Sequence, residues 1–258
     1  MSDVTRTREH VVHAVEAASD FAEPFYHLRL TDVFPADVYA ALLESMPARE
    51  DYYAMSGRAR KARGTDGTRA RTKIDLFPET LRRLPARKKA VWMMAAEVLR
   101  SREIRDAFVR RMAPGLERRF GPGYASVGLY PFPILTRDIP GYKLRVHADT
   151  PWKGITIQIY MPPDASYSHV GTVFNKRAEG NGGFEVAARM SFMPNSGYAF
   201  VVVPESHHSV ELVGPEVPTR DSIQLAYFVD QTFFQVAKNR SKRLGQLVRG
   251  MVWPPTGG

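Results

Sequence analysis

Residues 141–154 read GYKLRVHADTPWKG, and the interpretation of the whole chain turns on them. Bounded by glycine and proline, the segment has the texture of a short β-strand ending on His147-Ala148-Asp149. Residues two apart in a strand project from the same face, so an imidazole and a carboxylate leave one strand end together. Taken alone, this spacing is better explained by a surface histidine near an aspartate. A wider context is needed to choose.

Outward from this segment the chain is β-rich from about residue 123. The runs YASVGLY, ITIQIYM, GGFEVAA, YAFVVV, HSVELV and SIQLAYFV alternate with Gly, Pro and Asn, a spacing that indicates a β-sandwich or barrel. The first third reads mainly as helix. Val11, Val12, Val15 and Ala18 recur near a 3.6-residue period in 7–19, Pro35 opens a helix over 35–46, and 79–113 holds helices broken near Pro85 and Pro114. The expected fold class is α+β, mainly β. One domain over 1–258 is expected, with 1–120 as helical support, 121–230 as the β core and 231–258 as a basic tail.

Composition narrows the function classes. The 258 residues are 44% hydrophobic and 24% charged, which excludes a disordered, coiled-coil or collagen-like chain. Cysteine is absent, which removes disulfides, thiolate metal sites and cysteine nucleophiles. The polar start MSDVTRTREH and the short apolar runs point to a cytoplasmic protein with no membrane partner. The net charge of +9 is uneven: RARKARGTDGTRARTK (58–73) carries Arg58, Arg60, Lys61, Arg63, Arg69, Arg71 and Lys73 against Asp66. This run reads as a mobile loop, either solvated or acting as a lid over an anionic substrate. Nucleic acid is disfavoured as a partner because no recognised motif accompanies the charge.

The second element lies at 198–213, YAFVVVPESHHSVELV, where an apolar strand and a turn lead into His207 and His208. Twelve residues past His208, Arg220 opens the strand RDSIQLAYFVD. H-x-D, a distant His and a later Arg form the layout of a 2-His-1-carboxylate site, which holds one face of a divalent metal and leaves the rest open. Iron suits these ligands; zinc would also bind them.

With these pieces in order, the sequence from about Leu135 to Asp230 resembles the Fe(II)/2-oxoglutarate-dependent oxygenase superfamily. The resemblance implies a double-stranded β-helix, a cupin-like jelly roll with the metal at its mouth. It implies Fe(II) on His147, Asp149 and one of the paired histidines, with 2-oxoglutarate and O2 as cosubstrates and Arg220 anchoring the distal carboxylate. Strand alternation selects His208, which shares a face with Val210 and Leu212, and leaves His207 as a polar neighbour. Arg220, Ser222 and Gln224 share one face and Ile223, Leu225, Tyr227 and Val229 the other. In a ligand-holding barrel the polar face turns inward, giving Arg220 and Ser222 as cosubstrate contacts.

Thr156 and Gln158 alternate with isoleucines and suit either a cosubstrate pocket or an exposed face. Arg137 and Tyr142 resemble substrate-facing positions, and Trp152 either shapes the pocket or packs. His10, His13, His27 and His169 read as structural. The implied activity is hydroxylation of a small molecule, such as an amino acid or natural-product intermediate, with succinate and CO2 as coproducts. Asp149 fills the place that related halogenases leave open for chloride. The alternatives are a non-oxygenase jelly roll (a metal-dependent isomerase or binding module) and an oxygenase acting on protein or nucleic acid through 58–73. The oligomeric state is not legible.

Overall fold

The structure is a computed structural model. It describes residues 2–55, 63–180 and 182–230, and positions 237, 240, 241, 244, 245 and 248. Arg58, Arg60, Lys61 and nearly all of the expected basic tail therefore lie outside the described residues.

Helix α1 (Asp3–Glu16) is followed by β1 (Ser19–Phe21), β2 (His27–Leu30), α2 (Ala36–Glu44), β3 (Tyr53–Ala54) and β4 (Arg71–Asp75). Helices α3 (Pro78–Leu81), α4 (Ala86–Leu99), α5 (Arg102–Arg111) and α6 (Ala113–Phe120) come next. The remaining strands are β5 (Leu129–Asp138), β6 (Leu144–His147), β7 (Lys153–Tyr160), β8 (Thr172–Arg177), β9 (Phe184–Met190), β10 (Gly197–Val201), β11 (His208–Val210) and β12 (Arg220–Val229). They form two antiparallel sheets: an eight-stranded one ordered β1-β2-β10-β7-β12-β5-β4-β3, and a four-stranded one ordered β6-β11-β8-β9. Among the described residues, no helix is long and apolar enough to cross a membrane.

Two hydrophobic clusters explain why the sheets stack as they do. Ile155, Ile157 and Ile159 of β7 and Ile223, Leu225 and Tyr227 of β12 pack with Val11, Leu42, Trp92 and Phe108 of the helices. The alternate residues of the same strands face the barrel interior. There an aromatic cluster, including Tyr160, Phe174, Phe192, Tyr198 and Phe200, joins the two sheets. The central strands β7 and β12 thus have a mainly apolar outer face buried by helices and an inner face free to carry polar groups.

Several expectations shift. The first third supplies four strands as well as helices, and β4 comes from the basic run read as a loop; pairing Arg71↔Asp138 through Asp75↔Ile134 with β5 overrides its weak local signal. The helices do break at Pro85 and, between Arg111 and Ala113, near Pro114; a further break falls at Ser101, whose hydroxyl accepts the Ile104 N–H as the N-cap of α5. Pro114 sits in the first turn of α6, where its missing N–H is harmless. In YASVGLY only the end is strand, because β5 runs on through Pro131 and Pro133. Those prolines lie beyond the β4 register, and Pro133 still accepts the Leu76 N–H through its carbonyl while β12 flanks the other side.

Two close approaches shape the core around the site. Arg119 of α6 donates from Nη1 to the carbonyls of Lys153, Gly154 and Val202, and from Nη2 to that of Pro151. Burial pushes its pKa down to about 10. Gly171 precedes β8 where a Cβ would stand 1.8 Å from the Met190 carbonyl oxygen. Gly171→Ala must therefore spread β8 from β9, and the expected loss is about 1–3 kcal/mol of stability in chemical denaturation. An unchanged midpoint would show that this approach does not set the strand spacing.

Candidate metal centre

The site is built by register. β11 pairs with β6 so that His208 stands directly opposite His147, with ring centroids 4.3 Å apart. Directly opposed antiparallel residues have neighbouring side chains, so two histidines 61 positions apart arrive side by side. The chain turns after β6 and delivers Asp149. Ligand atoms of His147, Asp149 and His208 all lie within 4.8 Å of one another.

Each imidazole is oriented from behind. His147 Nδ1 lies 3.0 Å from the Arg145 carbonyl and His208 Nδ1 lies 3.1 Å from that of Ser206. A carbonyl only accepts, so the proton is assigned to Nδ1 and the lone pair to Nε2, the arrangement a metal-ligating histidine requires. Burial pushes the His208 pKa down to about 4, so the ring is neutral at physiological pH. Burial opposes ionisation of Asp149, but the Lys153 ammonium, His208 and the Thr156 hydroxyl together hold its pKa well below the carboxylate range. Lys153 Nζ donates to Oδ1 at 2.9 Å and Thr156 Oγ1 to Oδ2 at 2.7 Å. Two imidazoles and one oriented carboxylate fit a divalent cation such as Fe(II).

The triad opens into a cavity of about 310 Å³ that also reaches Arg71, Lys153, Gln158 and Arg220. Arg220 is fully buried. Its Nε donates to the Val170 carbonyl (2.5 Å), Nη1 to Asp138 Oδ2 (2.9 Å) and Nη2 to Thr172 Oγ1 (3.2 Å). Thr172 in turn accepts from the hydroxyls of Tyr160 and Tyr198.

The other sequence candidates divide. Thr156 and Gln158 line the cavity, but Thr156 is bonded to Asp149, and Gln158 donates to the Ser222 hydroxyl. Ser222 is fully buried, bonded also to Thr136, and does not line the cavity. His207 is outside the triad, its ring 4.6 Å from that of Phe184. Three residues read as substrate-facing lie elsewhere. Arg137 alternates with Thr136 and Asp138 on β5, so it points to the opposite face, where it pairs with Asp221 (2.7 Å), covers the Tyr52 ring and lines a separate cavity. Tyr142 is fully buried in the aromatic core beneath Arg71. Trp152 is 42% exposed at the turn before β7 and is not part of the cavity wall.

Of His10, His13, His27 and His169, none joins the triad. Sequence reading missed Lys153 and Asp138 as parts of the site, and placed Arg71 only in a loop. Lys153 was legible in principle, four residues after Asp149; Asp138 and Arg71 meet only through sheet register.

A pH dependence follows for the metal-free protein. The unfolded imidazole takes its proton near pH 6.5, the buried His208 ring only near 4, so between these values the unfolded state binds more protons. Stability is therefore full above about pH 6.5 and declines as pH falls toward 4, on the order of 3 kcal/mol from this residue. The buried His27, its pKa also lowered by burial, adds to the same slope. Denaturation midpoints from pH 7 to 4 check it: His208→Asn should flatten the profile, and coincident profiles would contradict the buried neutral ring.

No family model matches the chain, and no curated protein matches it. Solved structures do. A prolyl hydroxylase from Trichoplax adhaerens, in complex with a hypoxia-inducible-factor peptide fragment, aligns over 87% of this chain and 90% of its own, with 12% identity and a TM-score of 0.54. A Pseudomonas putida prolyl-4-hydroxylase aligns over 86% and 98% with 14% identity and a TM-score of 0.49. A 2-oxoglutarate–Fe(II) oxygenase-family protein from Burkholderia pseudomallei aligns over 78% and 84% with 13% identity and a TM-score of 0.45. At such identities the likeness is one of fold: the chain has the jelly-roll fold of the 2-oxoglutarate–Fe(II) oxygenases, with a His-Asp-His group able to hold a metal.

Proposed function

We propose that the protein is an Fe(II)- and 2-oxoglutarate-dependent oxygenase that hydroxylates a small anionic molecule. The observation that carries this reading is the convergence of His147, Asp149 and His208 on a cavity whose wall also holds the buried guanidinium of Arg220. A bare metal-binding barrel has no need of a buried cation beside its ligands. A keto acid with a second, distal carboxylate does.

Each residue has a task in this scheme. His147 and His208 present Nε2, held in place by the Arg145 and Ser206 carbonyls. Asp149 supplies the anionic ligand, and Thr156 fixes its rotamer from Oδ2. Lys153 satisfies Oδ1 here and, standing at the cavity wall, is placed to meet an anionic substrate group. Arg220 gives the distal carboxylate of 2-oxoglutarate a cation, backed by Asp138 and Thr172. Leu144, Tyr198 and Val210 line the cavity and keep its floor apolar. When bound, Fe(II) supplies the oxidation with O2: decarboxylation of 2-oxoglutarate to succinate and CO2, coupled to oxygen insertion into a substrate C–H bond.

The cavity volume of about 310 Å³ supports a small substrate. Lys153, at the cavity wall beside the carboxylate ligand, supports an anionic group on it. An aspartate at position 149 supports hydroxylation over halogenation, and natural-product intermediates suit these constraints.

Anaerobic addition of Fe(II) and 2-oxoglutarate is expected to produce a weak visible charge-transfer band. With a turnover substrate found by screening succinate release, Asp149→Ala should abolish that release, while His207→Ala should retain most of it. A folded, metal-replete protein without the band, or a dead His207→Ala beside an active His208→Ala, would overturn the assignment.

A further inference from the structure

Arg71, Asp138 and Arg220 form a row across three strands of the large sheet. Asp138 on β5 is the register partner of Arg71 on β4 and of Arg220 on β12. Arg71 Nε lies 2.6 Å from Asp138 Oδ1 and Nη2 lies 3.2 Å from Oδ2, while Arg220 Nη1 lies 2.9 Å from that same Oδ2. The two guanidiniums are thus adjacent. Both line the cavity that holds the triad, whereas the fully buried Asp138 does not. The carboxylate backs the two cations without occupying the space in front of them.

Charge and donors in this row do not balance. Two guanidiniums against one carboxylate leave one positive charge without a counterion in a buried wall, an arrangement costing several kcal/mol unless a ligand neutralises it. Arg220 has all three nitrogens engaged, on Val170, Asp138 and Thr172, and is 0% exposed. Arg71 is 8% exposed, and its Nη1 makes no hydrogen bond to any described residue. Tyr142 supports Arg71 from below, with Cζ 4.6 Å from the ring centroid. The more accessible donor in the row is therefore Arg71, contributed by a strand outside the H-x-D…H…R layout.

We propose that Arg71 is a second cosubstrate-binding residue, closing with Arg220 a two-guanidinium clamp on the distal carboxylate of 2-oxoglutarate. This rests on the oxygenase reading above. It assigns β4, the described end of the basic 58–73 segment, a ligand-binding task in place of a surface one. The ligand chemistry the row selects is a keto acid whose far end carries a full negative charge.

The test compares two keto acids that share the chelating end. 2-Oxoglutarate has the distal carboxylate; 2-oxopentanoate carries a methyl group there. Their dissociation constants are read anaerobically, with Fe(II)-loaded protein, from the charge-transfer band and by calorimetry. Losing a charge-assisted contact worth about 1.5–3 kcal/mol corresponds to about 10–100-fold in affinity. Arg71→Gln is expected to weaken 2-oxoglutarate by that factor and to leave 2-oxopentanoate unchanged. Equal weakening of both, the mark of a structural role, overturns the clamp, as does no weakening of either.

Arg71→Gln still leaves Asp138 paired with Arg220, which favours folding. Should it fail to fold, Arg71→Lys keeps the charge and loses the fork. A fall in its preference for 2-oxoglutarate over 2-oxopentanoate then supports the clamp, and an unchanged preference overturns it. Wild-type protein that forms no band with either acid defeats the oxygenase reading itself, an outcome distinct from failure of the clamp.

Discussion

Burial of the outer face of the large sheet beneath the helices is the constraint on which the site rests. Ile155, Ile157, Ile159, Ile223, Leu225 and Tyr227 are all almost completely removed from water there. Side chains alternate along a strand, so every residue committed to that layer sends its neighbours into the barrel. A one-residue slip of β12 would exchange Arg220 with Asp221 and put the cation among the helices. The apolar layer therefore fixes which polar groups face the cavity before any ligand arrives.

Inside the barrel the charges are held in shared arrangements that limit the desolvation penalty. Asp149 is satisfied on both oxygens by Lys153 and Thr156, so the carboxylate stays ionised and oriented in a half-buried position. Asp138 serves two arginines at once, and the rings of Tyr142, Tyr160 and Phe192 cover their faces. On the other face of the same strands, Arg137 and Asp221 make a separate bidentate pair. Adjacent positions on β5 and β12 thus carry two ion pairs that belong to different compartments.

Much of this was legible locally. The period-two pattern of 155–160 and 220–229 names both faces of the central strands, and the apolar company of Val210 separates His208 from His207. What was not legible depended on partners distant in sequence. β4 has too little hydrophobic signal to declare itself a strand, and becomes one because β5 offers an edge from Ile134 to Asp138. Arg137 was suggested by resemblance alone, and parity offers no check: β5 carries Pro131 and Pro133 amid apolar residues on both faces, so its own pattern does not say which way residue 137 points. Tyr142 and Trp152 flank the metal strand in sequence, but a buried turn takes the first into the core and an open one leaves the second at the surface.

The bonds from Arg119 to four carbonyls have a wider meaning for how the molecule is divided. Its guanidinium ties the end of α6 to the turn that delivers Lys153 and to the chain leaving β10. A helix with no residue in the cavity thereby braces the loop that holds the carboxylate ligand in position. Transplanting the barrel without α6 would leave that loop without its anchor.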